Sequence, residues 1–239
     1  MRNTKLEGLS PGPTLIERAY EAILDAISDR RLEPGERINQ EDLAGRLQIS
    51  RQPVGQALNI LKSQGFVRDN GRRGLIVAPL EREFFQSIYQ LRGALDAMAA
   101  ELAAGRRSDA DVVEGRGLVA EGRRAMKSGK MEALIDADKR FHMWTYRVAG
   151  NPLLVDTMGL YWNHLRRAMA ELLRRPSGRD LVWDEHQAIL DAIVAGDADE
   201  ARARALAHAR DASARLVEAI PAPAVPASED EARAERRRA

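Results

Sequence analysis

The chain has 239 residues, with 37 lysines and arginines against 36 aspartates and glutamates, four histidines and no cysteine. The absence of cysteine excludes a disulfide framework, a thiolate metal site and a cysteine nucleophile. No apolar stretch reaches the length of a membrane span and none follows Met1, so we expect a cytoplasmic protein with no membrane partner.

A first helix is indicated after an N-terminal segment, residues 1–13, that we expect to be flexible. The apolar residues of this helix recur with helical spacing: Ile16, Ala19, Ile23 and Ile27. The sequence Leu-Glu-Pro-Gly at 32–35 is typical of a turn and ends the helix. A short second helix is predicted from Glu41 to Leu47.

A third helix and a hairpin complete the N-terminal unit. Ser50 is a good N-cap for a helix from Arg51 to Gln64. Two short strands follow, joined by a loop rich in turn-forming residues, at Phe66 to Arg68 and Leu75 to Val77. Three helices and a two-stranded wing predict a winged helix-turn-helix domain over residues 14–80.

Residues 81–220 predict an all-helical domain. Proline inside a helix costs about 3 kcal/mol, so prolines and glycines mark helix ends. Six amphipathic stretches result, separated by breaks near Gly105, Gly129, Gly150, Pro176 and Gly196. Short connections favour an antiparallel bundle, and the frequent breaks disfavour the alternative of an extended coiled coil. Residues 221–239 contain a single valine among small and charged residues and predict a disordered tail.

Positive charge is concentrated between residues 46 and 73. This segment holds six basic residues and one acid, Asp69, and six minus one gives a local charge of +5. Much of it lies at the start of the third helix and in the hairpin loop, the parts of a winged helix that meet DNA. Side chains there can reach base edges and phosphates. Charge alone leaves open the alternative of a solvated basic face.

The third helix and the wing also carry a family pattern. Residues 50–58 read Ser-Arg-Gln-Pro-Val-Gly-Gln-Ala-Leu, and residues 73–77 read Arg-Gly-Leu-Ile-Val. These segments resemble the DNA-binding domain of GntR-type bacterial transcription regulators, which implies binding to double-stranded operator DNA as a homodimer. We expect five residues to contact DNA, three by base readout and two as anchors of the wing: Arg51, Gln52 and Gln56, then Arg72 and Arg73.

The pattern departs from the family at Gly55, where a second arginine usually stands. Losing an arginine that can pair with guanine removes about 1–3 kcal/mol of base discrimination, and glycine weakens a helix by up to about 1 kcal/mol. We therefore expect an operator that differs from the common half-site of the family.

The four histidines all lie in the predicted bundle. Asp138 and His142 are four residues apart on the apolar stripe of one helix, so they share a face and can bind one ion. The alternative for this pair is a buried Asp–His hydrogen bond. His164 is offset from the pair by about 6 Å along the helix axes, so we expect it to line a cavity for an effector, or to be exposed, rather than to bind the ion.

Two further histidines are predicted to lie at one level. His186 is 10 residues before Gly196 and His208 is 12 residues after it. At about 1.5 Å per residue, both stand roughly 15–18 Å from that turn on antiparallel neighbours. Three imidazoles and a carboxylate suit Zn²⁺, with Ni²⁺, Mn²⁺ or Fe²⁺ also possible.

A second resemblance covers residues 83–219. The segments Asp-Lys-Arg-Phe-His at 138–142 and Glu-His-Gln-Ala-Ile-Leu at 185–190 are similar to the FCD effector-binding domain of the FadR subfamily. Its metal-binding members imply four ligands here: Asp138, His142, His186 and His208. Arg92 lies in a Gln-Leu-Arg segment similar to an element of that domain and is a candidate for binding an effector carboxylate. A surface ion pair is the alternative for Arg92.

Together these features predict a mainly α-helical transcription regulator, a winged helix followed by a helical bundle, and not an enzyme. We expect the bundle to bind a divalent metal, zinc by preference, and a small organic acid effector that modulates operator binding by a repressor. Two alternatives stay open: a metal-dependent enzyme acting on a small carboxylate, and a regulator whose metal is purely structural.

Overall fold

The computed structural model describes residues 12–71, 74–173 and 179–220. Four predictions fall outside this part of the chain: the DNA contacts of Arg72 and Arg73, the disordered tail at 221–239, the break near Pro176, and all but two residues of the flexible N-terminal segment. The described elements follow in chain order: α1 Leu15–Ser28, β1 Arg37–Ile38, α2 Gln40–Leu47, α3 Arg51–Ser63, β2 Val67–Asp69, β3 Leu75–Val77, α4 Arg82–Arg106, α5 Asp109–Ser128, α6 Met131–Val148, α7 Pro152–Leu173, α8 Arg179–Ala195 and α9 Ala198–Ala219. The mainly α-helical fold class is confirmed.

The helices of the N-terminal unit begin at polar caps. The Thr14 hydroxyl accepts from the backbone N–H of Glu17, and the Glu17 carboxylate accepts from the backbone N–H of Thr14, which makes a capping box for α1. The Asn39 side-chain oxygen caps α2 by accepting from the backbone N–H groups of Glu41 and Asp42. Ser50 takes the predicted N-cap position of α3, although its hydroxyl makes no capping hydrogen bond.

A small antiparallel sheet forms the wing, with the strand order β1-β3-β2. Residues Arg37 and Arg68 both lie opposite Ile76, one on each side of β3. The prediction contained β2 and β3 and missed β1. A strand of two residues is too short for alternation of apolar and polar residues to be visible in the sequence.

The six helices predicted for the second part are all present in the described residues. Helix α4 is central, because it packs along α9 and also contacts α6, α7 and α8. Its inner face carries four fully buried alanines: Ala99, Ala100, Ala103 and Ala104. Alanine favours the helix and lets neighbouring backbones approach closely. None of the described helices has the length and apolar character needed to cross a membrane.

Helix α7 connects the bundle to the winged helix by packing against α1. Arg166 on α7 donates to Asp25 and Asp29 on α1, each at 2.6 Å, and Arg30 pairs with Glu171. The opposite side of α7 lies in the bundle core, where Leu165 is fully buried. One helix therefore touches both parts of the chain.

Candidate functional site

Helix α6 carries an aspartate and a histidine on its buried face. Asp138 is 4% exposed and His142 is 3% exposed, and Phe141 beside them is also buried. Burial raises the pKa of the Asp138 carboxyl, because the charged form loses its hydration. A buried carboxylate is costly unless a cation or hydrogen-bond donors accompany it.

Helices α8 and α9 bring two more histidines to the same place. One ring nitrogen from each of His142, His186 and His208 lies within 4.8 Å of the other two, and all three side chains are buried. His186 and His208 therefore come together on antiparallel neighbours, as their distances from Gly196 along the chain predicted.

Asp138 faces two of these rings. Its oxygens lie 3.5 Å from Nε2 of His186 and 3.8 Å from Nε2 of His142. Oδ2 of Asp138 has no hydrogen-bond partner among the described residues. The hydrogen bond between Asp138 and His142, which was the alternative interpretation of this pair, is therefore not formed. An orphaned carboxylate oxygen among imidazole nitrogens fits a divalent cation.

Two of the three histidines, His142 and His186, are held in the neutral form that binds metals. Burial lowers the pKa of His142 well below its ordinary value, and the Arg92 guanidinium lowers it further. Burial likewise lowers the pKa of His186. A neutral imidazole offers a lone pair to a metal ion, whereas an imidazolium does not. The donor set of three imidazoles and one carboxylate suits a borderline ion such as Zn²⁺.

The Glu185 carboxylate orients the His208 ring through the Nδ1 nitrogen. Oε2 of Glu185 lies 2.6 Å from Nδ1 of His208, and both oxygens of Glu185 accept from Arg215, at 2.8 and 3.0 Å. Although burial acts to raise it, these hydrogen bonds lower the pKa of Glu185 to about 2. A carboxylate bound to one ring nitrogen fixes the tautomer and leaves the other nitrogen for a metal.

Arg92, on α4, lies in the cluster and not at the surface. It is 2% exposed, its Nε is 3.1 Å from Oδ2 of Asp96, and its Nη2 is 2.5 Å from Nε2 of His142. The alternative of a surface ion pair is therefore wrong, because the pair with Asp96 is buried. The guanidinium places a positive charge beside the histidine nitrogens, where it can bind a carboxylate.

Sequence reasoning missed Asp96, Tyr146 and Glu185. Tyr146 donates a hydrogen bond to Asp96, and Asp96 also lies 3.6 Å from Nδ1 of His142. Asp96 follows Arg92 by four residues and Tyr146 follows His142 by four, so helical spacing could have indicated both. Glu185 offered no such signal, because the residues that it contacts, His208 and Arg215, lie on another helix.

The structure does not bring His164 to the cluster. Its ring stacks on Phe66 of the N-terminal unit, with centroids 4.0 Å apart and planes at 7°. Its Nε2 lies 2.9 Å from the backbone oxygen of Gln64. His164 is also 3% exposed, so the exposed position is wrong, whereas the role in lining an effector cavity stays a prediction. His164 lies between the winged helix and the bundle.

A second candidate site is the outer side of α3. Val54 and Leu58 on the inner side are fully buried, while Arg51, Gln52 and Gln56 are exposed. This arrangement presents the three predicted base-reading residues to solvent at the start of a recognition helix.

Ion pairs reduce the basic patch that the sequence indicated. Three of its basic residues pair with acids: Lys62 with Asp69 at 2.5 Å, Arg68 with Glu81 at 2.7 Å, and Arg46 with Asp42 at 3.7 Å. Arg51 forms no ion pair with any residue in the described part of the chain. Among the described residues of the patch, the unpaired positive charge therefore lies at Arg51, at the start of α3.

Gly55 is not required by the fold. It lies inside α3, and a Cβ at this position would meet the Gln40 side chain at 3.5 Å, an ordinary van der Waals contact. A Cβ therefore fits without rearrangement of the backbone, so the departure from the family pattern concerns DNA contact and helix stability.

An exposed recognition helix with a wing, followed by a helical bundle that encloses a histidine and carboxylate cluster, defines a two-part DNA-binding transcription regulator. Comparison with known families agrees with this class. Residues 15–77 match the bacterial regulatory proteins of the gntR family, and residues 87–211 match the FCD domain. The chain belongs to the GntR family and carries an FCD domain.

Curated relatives are regulators of the same kind. The Nta operon transcriptional regulator of Aminobacter aminovorans is 29% identical over 78% of this chain and 87% of its own length. The putative L-lactate dehydrogenase operon regulatory protein of Escherichia coli is 29% identical over 81% and 83%. Family membership makes the chain a transcription regulator and not an enzyme, and regulators of this family bind operator DNA.

Solved structures share the fold. Escherichia coli McbR/YncC superposes with a TM-score of 0.72 at 22% identity, covering 87% of this chain and 99% of that protein. A putative GntR regulator from Rhodococcus sp. RHA1 superposes with a TM-score of 0.71 at 22% identity, covering 86% and 99%. At 22% identity, these similarities support a shared fold and no more than that.

Proposed function

We propose that this chain is a repressor that binds operator DNA as a homodimer and whose helical part binds a divalent metal and a small organic acid. The boundary between the DNA-binding and effector-binding domains lies near residue 80. Arg51, Gln52 and Gln56 read the operator, and the two wing arginines at 72 and 73 anchor it. The observation that carries the metal proposal is Oδ2 of Asp138, which is buried without a hydrogen-bond partner among the described residues.

Four residues would hold the metal: Asp138, His142, His186 and His208. Zinc is favoured by this donor set, with nickel, manganese or iron possible. A bound cation supplies positive charge and coordination positions for a carboxylate or hydroxyl oxygen.

Arg92 provides the second contact for the acid. Its guanidinium lies beside His142 and is buried, and a planar guanidinium binds a carboxylate through two parallel hydrogen bonds. The name of the E. coli relative refers to an L-lactate dehydrogenase operon. Lactate is a small hydroxy acid, which supports this class of effector for the present chain.

Contacts inside the bundle offer a route from the cluster to the DNA-binding domain. Tyr146 bonds to Asp96 at the cluster and packs in one apolar core with Leu165 of α7. The next residue, Arg166, pairs with α1. An effector that binds two placements of α7 with different affinity would therefore change operator affinity.

The metal proposal is tested by elemental analysis of two variants of α6. In D138N a neutral amide replaces the orphaned carboxylate, and we expect metal affinity to fall by about tenfold or more. D136N removes an exposed carboxylate from the same helix and should keep the metal content of the wild type. Equal metal content in all three purified proteins would show that Asp138 is not a ligand.

The effector proposal is tested on DNA. An operator is first selected from random duplexes, and its affinity is then measured with metal-loaded protein while lactate and other small hydroxy acids are added. We expect at least one acid to weaken binding in the wild type and to lose this effect in R92Q. If no acid changes operator affinity, and if metal removal simply unfolds the bundle, the metal is structural.

A further inference from the structure

A cavity lies between the winged helix and the bundle, away from the histidine cluster. It has a volume of about 390 Å³ and is bordered by the end of α3, β2, the connecting segment at 78–81 and helices α4 and α7. Phe84 and Phe85 provide apolar wall, and three cationic side chains also border it: Lys62, Arg68 and Arg167.

Arg167 is the unusual member of this set. It is 5% exposed, and its hydrogen bond within the described residues goes from Nη2 to the backbone oxygen of Ala78, at 2.6 Å. No carboxylate of the described residues lies within ion-pair distance of it. The Phe66 ring, 5.7 Å from the guanidinium carbon, is its other favourable neighbour.

The charge of Arg167 persists despite its burial. Burial, with a smaller contribution from Arg30, lowers the pKa of Arg167 to about 10, so the guanidinium is still protonated at neutral pH. A buried charge is costly unless it is paired and hydrogen-bonded. Arg92 differs from Arg167 in this respect, because its buried guanidinium lies 3.1 Å from the Asp96 carboxylate. Among the described residues, Arg167 therefore has no carboxylate partner, and its guanidinium lies at the wall of a cavity.

The other charges of the cavity cancel in pairs. Lys62 lies 2.5 Å from Asp69, and Arg68 lies 2.7 Å from Glu81; all four of these residues border the cavity. Three positive and two negative side chains leave a net charge of +1. A single negative charge balances the cavity, and the phenylalanine walls suit an apolar body attached to it.

We propose that this cavity binds a small monocarboxylate whose carboxyl group pairs with Arg167 and whose apolar body packs against Phe84 and Phe85. This site is separate from the acid site proposed at Arg92 and the metal ligands. Because its walls come from both parts of the chain, an occupant contacts the DNA-binding domain and α7 together.

The test uses benzoate as the probe and benzyl alcohol as its neutral counterpart, with binding measured by titration calorimetry on the full chain. Four proteins are compared: wild type, R167Q, R116Q and R92Q. Arg116 is exposed on α5, so R116Q removes the same charge without touching either site. We expect saturable benzoate binding to the wild type and R116Q, at least tenfold weaker binding to R167Q, and no comparable binding of benzyl alcohol.

Each of several results would overturn the proposal. These are no saturable benzoate binding to the wild type, unchanged binding to R167Q, or equal affinity for benzyl alcohol. Tighter binding of inorganic phosphate than of benzoate at this site would overturn the monocarboxylate class. Loss of benzoate binding in R92Q with retention in R167Q would assign the probe to the metal site, which separates the two proposals. If R167Q does not fold, R167K is used instead, because lysine keeps the positive charge but lacks the planar guanidinium. We then expect R167K to bind benzoate at least threefold more weakly than the wild type does.

Discussion

Protonation of His164 should weaken the fold, because this histidine is buried between the winged helix and the bundle as a neutral ring. It stacks on Phe66, its Nε2 lies 2.9 Å from the oxygen of Gln64, and its Nδ1 has no hydrogen-bond partner among the described residues. Burial lowers the pKa of His164 to about 4, against an ordinary value of 6.5. The perturbation to test is His164→Gln, which keeps a neutral N–H donor and removes the titration.

The sign and size of the effect follow from the two pKa values. The unfolded chain takes up a proton as the pH falls through about 6.5, whereas the folded chain takes it up only near 4, so the fold loses stability between these values. The difference corresponds to about 3 kcal/mol in total, of which about 2.5 kcal/mol is lost by pH 4.5. The loss is complete below pH 4 and absent above pH 7.

The assay is urea denaturation of both proteins at a series of pH values from 7.5 to 4.5. The histidines of the cluster are common to both proteins, so their titration cancels when the two free energies of unfolding are subtracted. We expect the advantage of the wild type over H164Q to shrink by about 2.5 kcal/mol across this range. Parallel curves would refute the reasoning, because they would mean that His164 carries its proton equally well in the folded and unfolded chain.

Glycine positions give further predictions. A Cβ at Gly122 would lie 1.9 Å from the Trp183 ring, so G122A should destabilise the bundle by about 1–3 kcal/mol in urea denaturation. Its control, G117A on the same helix, meets nothing within 4 Å and should stabilise the protein by up to about 1 kcal/mol; similar effects of both changes would contradict the packing argument. G55R should tighten binding to the common family half-site by about 1–3 kcal/mol in a band-shift assay. Unchanged affinity and preference would mean that position 55 does not face the bases.

Much of the fold was predictable because it depends on local sequence. The spacing of apolar residues and the positions of prolines and glycines marked six helices after residue 80, and all six are found. Distances counted from Gly196 placed His186 and His208 at one level, since antiparallel helices joined by a short turn keep their register. These inferences needed no knowledge of how the helices are arranged around each other.

The remaining features depend on which helices become neighbours. Nothing in the spacing of α4 showed that it would occupy the centre of the bundle and bring Arg92 and Asp96 to His142. The ion pairs of Lys62 and Arg68 with acids outside their own elements likewise changed the charge presented to DNA. The axial offset of His164 predicted that it would lie apart from Asp138 and His142, but its packing against Phe66 requires the placement of the winged helix on α7.

The contacts between α7 and α1 have a strength suited to regulation. Arg166 and its partners Asp25 and Asp29 keep between a quarter and half of their side-chain surface exposed, and such pairs contribute about 0–1 kcal/mol each. Coupling between ligand sites in regulators amounts to about 1–3 kcal/mol. Under the proposed function, an acid bound in the cluster would have a coupling energy large enough to outweigh these pairs, while the buried stack of His164 on Phe66 would stay as the pivot between the two parts. The proposed coupling therefore requires only that these half-exposed ion pairs between α7 and α1 rearrange.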